Sequence, residues 1–231
     1  MAPRHGPEPR GGSAEETSYA PYVTFNGFPV AALDFYDDLE MDNTKSFWEA
    51  HKATYKESVE APFKALAAAL EPEFGSMKIF RPYRDVRFAK DKTPYKTHQG
   101  AFVAAGPATG WYVELSARGT RVGAGFYEAS GSRLAAIREA IDNDLRGPRL
   151  ERLVESYAAA DWEVGGETLK TSPRGYGTDH PRIGLLRHKQ LFVGKPYGWE
   201  SDAIDAGLVD RIRGDWQELR PLVEWLADVK D

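Results

Sequence analysis

Residues 111–127 restrict the fold more than any other stretch of the chain. Trp111, Val113 and Leu115 alternate with Tyr112 and Glu114, and beyond Arg118-Gly119 the alternation resumes with Val122, Ala124 and Phe126. A period of two sends successive side chains to opposite faces of an extended chain, so each run reads as a strand with one apolar face. Strands this close in sequence are joined by a tight turn, placed by the pattern at Arg118-Gly119, and the pair is therefore antiparallel. The other face of the second strand carries Gly123 and Gly125. Two accounts of them stand side by side: a bulge or sheet twist, or the close approach of a ligand or another backbone. Residues 99–104 read as a further strand, and 189–193 as an edge strand. Consecutive strands with short links predict an antiparallel sheet rather than parallel crossover units.

The remaining apolar residues recur at helical intervals. Leu33, Tyr36 and Leu39 share a face over 30–40. A second helix starts near Thr44, with Asn43 or Thr44 as its N-cap and Phe47, Trp48, His51 and Tyr55 in its first turns. The pattern continues past Pro62 through Phe63, Leu66 and Leu70, as one kinked helix or a new one with the proline in its first turn. Leu134, Ile137 and Ile141 mark a helix from Ser130 or Ser132 to Asp144, with Arg138 beside the stripe; Leu150, Leu153, Val154 and Tyr157 mark another. The last helix, over 204–229, places Leu208, Ile212, Trp216 and Leu219 on one side. No repeat or interdomain linker interrupts the series. The expectation is a single α+β domain over 21–231, an antiparallel sheet with helices packed on one side, behind a disordered tail at 1–20 rich in Pro, Gly, Ser and charge.

At 231 residues the chain can bury a substantial core. It has no cysteine, which removes disulfides, thiolate catalysis and cysteine-ligated metals. There is no apolar run long enough to span a bilayer and no apolar segment behind the basic residues at the start, so neither a membrane span nor a secretory signal is expected, and the cytoplasm is the default location. The formal net charge of −5 argues against general nucleic-acid binding.

Against that acidic total, residues 81–98 contain six basic and two acidic residues, a local net of +4. Val86 and Phe88 alternate with Asp85 and Arg87, which predicts a short strand with the apolar pair facing the core. Lys90-Asp91-Lys92-Thr93-Pro94 would follow as a charged turn, a basic loop held at a strand end. Arg84, Arg87, Lys90, Lys92 and Lys96 offer guanidinium forks and ammonium charges suited to carboxylate or phosphate. Asp85 and Asp91 could orient them, and Tyr83 and Tyr95 could supply flat surfaces. The bland alternative pairs Asp85 with Arg87 or Arg138 and leaves the lysines in water.

The run Arg84-Asp85-Val86-Arg87-Phe88-Ala89-Lys90-Asp91-Lys92-Thr93-Pro94-Tyr95-Lys96 resembles the signature of an uncharacterised, mainly bacterial family, the domain of unknown function 2461. The similarity runs from about Phe25 to Phe192. It includes Asn43-Thr44-Lys45-Ser46-Phe47-Trp48, the Leu134–Ile141 helix, Leu169-Lys170, Pro173-Arg174-Gly175-Tyr176 and Asp179-His180-Pro181. The family carries no activity with it. What the resemblance implies is that Arg138, Arg174 and His180 match other polar positions of the family pattern and would gather around the same cleft.

Other chemistry finds little support. The five histidines form no metal-ligating spacing, and no nucleophile elbow, Walker loop or complete dinucleotide loop is present. The leading expectation is a pocket for a small anionic molecule, phosphorylated or carboxylated, bound by Arg84, Arg87, Lys90, Lys92, Lys96, Arg138 and Arg174. If the protein is an enzyme, Asp85, His180 and Tyr95 are the proton-transfer candidates. A second reading is a non-catalytic module that docks an acidic partner through the basic segment; a third, disfavoured by the total charge, is single-stranded nucleic acid. Convergence of Asp85, Arg87, Arg138 and His180 in one concave site would favour the first. Cofactor, reaction and oligomeric state stay open at this level.

Overall fold

The computed structural model describes residues 24–200 and 204–230. The tail expected at 1–20 lies outside the described residues. The elements in chain order are α1 (Val30–Met41), α2 (Lys45–Thr54), a π-helical segment (Tyr55–Glu60), α3 (Ala61–Phe74), β1 (Met77–Ile79), β2 (His98–Gly106), β3 (Thr109–Ser116), β4 (Gly119–Phe126), α4 (Gly131–Asp142), α5 (Gly147–Ala159), β5 (Glu163–Gly165), α6 (Ile183–Leu186), β6 (Leu191–Gly198) and α7 (Leu208–Ala227). The six strands form one antiparallel sheet in the order β1-β2-β3-β4-β6-β5. This is the expected α+β domain.

The hairpin pairs Trp111 with Ala124 and Val113 with Val122, so its apolar faces coincide as the alternation requires. Val113, Leu115, Val122 and Phe126 are buried there. The turn itself is Ala117-Arg118, one residue earlier than predicted, because Ser116 pairs with Gly119, whose φ of 92° suits glycine. α7 crosses β2, β3 and β4 on this face, and Trp111 donates its indole N–H to the Trp216 carbonyl at 3.1 Å.

Side chains also set the helix starts. The Thr44 hydroxyl accepts the Phe47 N–H at 3.2 Å and the Ser130 hydroxyl the Arg133 N–H at 3.1 Å, N-caps for α2 and α4. Between α2 and α3 the chain stays helical throughout, through the π-helical segment, with Pro62 in the first turn of α3. The Ala61 N–H reaches back five residues to the Lys56 carbonyl, and Pro62, which has no N–H to give, follows directly in the first turn of α3.

Two strand expectations are corrected. Residues 86–88 form no strand: β1 and β2 pair directly with each other, leaving no sheet partner for the segment between them, and Phe88 is 97% exposed instead of facing the core. β6 is an interior strand, because the chain returns after β4 through α4, α5, β5 and α6 to lie between β4 and β5; the edge falls to the short β5.

Candidate functional site

The helices cover one face of the sheet; on the other, alternate strand residues remain partly accessible and enclose a cavity of about 710 Å³. Its floor is main chain, at Gly123 and Gly125 of β4 and Gly194 of β6. Its walls are rings that lean away from that floor. A Cβ at Gly100 would lie 2.6 Å from the Tyr112 hydroxyl, and one at Gly165 2.6 Å from the Phe192 ring, so Tyr112 lies over β2 and Phe192 over β5. With β4 between their own strands, a trough about two strand spacings (~10 Å) wide stays open. Of the two accounts of the β4 glycines, the structure shows the close approach of another backbone and no register shift at either glycine. A Cβ at Gly125 would meet the Leu191 carbonyl of β6 at 2.0 Å, the close approach of another backbone, and the same glycines floor the trough.

At one end of the trough stand Phe80, Lys96 and His98. The Lys96 ammonium is 5.3 Å from the centre of the Phe80 ring. Desolvation, helped by the Arg81 charge, pulls its pKa below the usual lysine value. Neither the Lys96 ammonium nor the His98 ring has a hydrogen-bond or ion-pair partner among the described residues. Farther along, Glu114 and Arg121 are matched, whereas Glu128 in the lining has no side-chain partner among the described residues. Tyr112 donates to Glu114 Oε2 at 2.7 Å, burial and that carboxylate push its pKa up, and Arg121 pairs with Glu163.

The rest of the 84–96 segment is a loop closed at its base by the Tyr83–Tyr95 bridge, with Arg84 N–H on Pro94 O at 2.8 Å and Lys96 N–H on Pro82 O at 2.8 Å. Both of its carboxylates are paired within it. Arg84 binds Asp91 and the Thr93 hydroxyl, holding the Asp91 carboxyl down at about 2. Arg87 grips Asp85 with two nitrogens, Nε at 2.9 Å and Nη2 at 2.6 Å, and lowers its pKa. Lys92 donates to the Val86 carbonyl at 2.9 Å. Arg87, Phe88 and Lys90 are exposed on it. Tyr95 is buried and stacked on Trp48, centroids 4.4 Å apart; its backbone is clasped by Asn43, through N–H at 3.1 Å and C=O at 3.0 Å, and burial raises its pKa.

Arg138, Arg174 and His180 lie elsewhere. α4 and α6 pack together, and α4 packs on α5, which contacts β5, the edge strand opposite β1. Arg138 Nε donates to the Leu186 carbonyl at 3.0 Å, at the end of α6, and burial lowers its pKa. His180 Nδ1 accepts the Arg182 N–H at 3.0 Å, which places the proton on Nε2 in the neutral ring, 2.9 Å from Asp142 Oδ1. Arg174 is exposed. These residues are not brought together with Asp85 and Arg87.

Sequence reasoning passed over the most buried charges. Arg133 donates to the Leu226 carbonyl at 2.7 Å and to the Val229 carbonyl, ending α7. Arg182 does the same for α4 through Ile141 O at 2.7 Å and Asp142 O at 2.8 Å. Asp215 accepts from Lys195 at 2.7 Å and from the Tyr197 hydroxyl, while the Lys195 ammonium sits 4.1 Å above the Trp162 ring. Spacing held a signal for one of them: Arg133, Ile137 and Ile141 fall on one stripe at four-residue steps. Among the described residues, no three His, Asp or Glu side chains are grouped to hold a metal ion, and no helix is long and apolar enough to cross a membrane.

An open-faced antiparallel sheet with a glycine-floored trough, backed by helices, thus defines the class of protein. Residues 31–225 match the family model described as a conserved hypothetical protein, DUF2461, and the chain belongs to that family. No curated protein and no solved structure matches it.

Proposed function

We infer that the protein binds a small anionic molecule with a flat apolar body in the trough on the open sheet face. One observation carries the reading: Lys96 and His98 have no hydrogen-bond or ion-pair partner among the described residues, at the end of a cavity whose walls are aromatic and whose floor is bare backbone. The volume of about 710 Å³ suits a small-molecule site, apolar with few convergent polar groups. A desolvated ammonium gains most from an anion, since a carboxylate or phosphate returns what the loss of water removed. Of the 84–96 residues, Lys96 meets the ligand, while Arg84, Asp91, Lys92 and Thr93 brace the loop that delivers it. The reading is of binding; Asp85, His180 and Tyr95 have structural partners and are given no catalytic role.

Anilinonaphthalene sulfonate, a flat aromatic anion, tests it. The native protein should bind one equivalent with enhanced fluorescence, displaced by aromatic carboxylates, and Lys96→Met should weaken binding about tenfold, one charge contact's worth. Equal binding by Lys96→Met and the parent would remove the reading.

The exposure of Phe88 beside Arg87 and Lys90 favours a second reading, the docking of an acidic partner on the loop tip. Salt-sensitive binding of polyglutamate, lost in Phe88→Ser, would support it; no binding at low salt would dismiss it.

A further inference from the structure

A second cavity, about 400 Å³, lies between the α2–α3 helix and the chain leaving β1. From the helix it is lined by Trp48, Lys52, Lys56, Glu60 and Lys64, each four residues after the last. In a regular α-helix every such step advances 40°, so the fifth residue would point about 160° from the first. The wider turn of the π-helical segment, Tyr55–Glu60, winds the row back and keeps it on one flank. Tyr55 fixes the opposite wall: its hydroxyl donates to Gln99 Oε1 at 2.7 Å, and Gln99 Nε2 donates to the Phe80 carbonyl at 2.7 Å. The next residues, Arg81 and Tyr83, complete the rim.

The charges there are not balanced. Glu60 is taken by Lys64 at 2.5 Å, and Lys52, Lys56 and Arg81 make no ion pair at contact distance among the described residues, Arg81 acting on Asp85 only from farther off. Like charges four residues apart on a helix repel, and Arg81 lines the same cavity from the facing chain. A carboxylate could match one of the three. A phosphate monoester brings a charge of about −1.5 to −2 and three strong acceptor oxygens, suited to two ammonium groups and a guanidinium fork. Tyr83, partly exposed and packed 5.7 Å from the Trp48 ring, offers a flat wall for the rest of such a molecule.

We propose that this pocket binds a small phosphorylated molecule, its phosphate held by Lys52, Lys56 and Arg81. The site is separate from the trough, which it touches only through Phe80.

Phosphorus NMR with inorganic phosphate as the probe tests it. The parent should broaden the phosphate signal, and so should the loop variant Arg87→Met/Lys90→Met and the trough variant Lys96→Met. Lys52→Met/Lys56→Met and Arg81→Gln should each bind at least tenfold more weakly, with unchanged circular dichroism. Equal broadening by parent and pocket variants, or no broadening by the parent at tens of millimolar phosphate, overturns the proposal. So does an oligonucleotide that binds far more tightly than phosphate and is lost in the loop variant, which would assign the basic surface to a polyanionic strand. Because Lys96→Met removes none of Lys52, Lys56 and Arg81, failure of the trough reading and failure of this one are read separately.

Discussion

The β1 end of the sheet and the rest of the fold use basic residues in opposite ways. Away from β1 the fold consumes them: Arg133, Arg138 and Arg182 bind main-chain carbonyls at helix C-termini, and Lys195 is locked between Asp215 and Trp162. Cations there satisfy orphan carbonyls and complement the helix dipole. At the β1 end, Lys52, Lys56, Arg81 and Lys96 border cavities and make no ion pair at contact distance among the described residues, while the loop beside them pairs both its carboxylates internally. A count of charge along the sequence selects the loop. Counting what each charge touches selects the residues on either side of it. A fold-serving cation should be costly to remove, and a ligand-serving one cheap.

The largest effect is expected where one change orphans both a cation and a hydroxyl. Asp215→Ala strands Lys195 under the Trp162 ring and leaves the Tyr197 hydroxyl without its acceptor. Breaking a buried pair from one side costs about 3–5 kcal/mol, measured by urea denaturation. A loss below about 1 kcal/mol, the worth of a surface ion pair, would mean that the fold does not consume its charges there as described.

Arg133→Met comes next. It keeps most of the stem's packing but orphans the Leu226 and Val229 carbonyls, for an expected loss of about 2–3 kcal/mol. Arg87→Met, an exposed arginine of the β1 end, should leave the melting temperature unchanged. If both variants melt with the parent, the contrast between the two regions collapses.

How far these roles were legible in the sequence follows from the range of the interactions. The hairpin faces, the caps at Thr44 and Ser130 and the α7 stripe are set by neighbours a few residues apart, and periodicity carries them. The interior place of β6 depends on pairing Val122 with Lys195, across a return no local pattern encodes. Residues 86–88 alternate like a strand, yet β1 and β2 pair without them. Gly123 and Gly125 were visible as a floor, but the walls come from Tyr112 and Phe192, whose lean is set by glycines on other strands. Lys52 and Lys56 carry no motif in the sequence; the π turn keeps them on one flank, facing Arg81 across a cavity. Arg133 was hidden by its type, because an arginine in an apolar stripe is read as an interruption.

A smaller effect is expected from the pocket lysines. In the absence of phosphate, Lys52→Met/Lys56→Met should stay within about 0.5 kcal/mol of the parent, or gain stability as repulsion with Arg81 is relieved. Thermal denaturation in a phosphate-free buffer measures this. A loss above about 2 kcal/mol would show these lysines serving the fold, as the arginines away from β1 do.

The smallest effect lies within the loop and concerns pH. Arg84, with help from the Thr93 backbone N–H and hydroxyl, holds the Asp91 carboxyl at about 2, below its ordinary 3.8. A lowered carboxyl pKa means the folded loop prefers the ionised form. Its stabilising contribution is complete above the unfolded value and is lost as pH falls through the folded one, so the window runs from about 4 down to about 2. Carbon-detected NMR should find the Asp91 midpoint near 2 in the parent and close to the ordinary value in Arg84→Gln, with little change in global stability because the pair is largely exposed. An Asp91 that titrates normally in the parent would mean that Arg84 is free in solution. The loop would then join the unpaired cations on either side of it, and the boundary between the charges the fold consumes and those it leaves open would have to be redrawn.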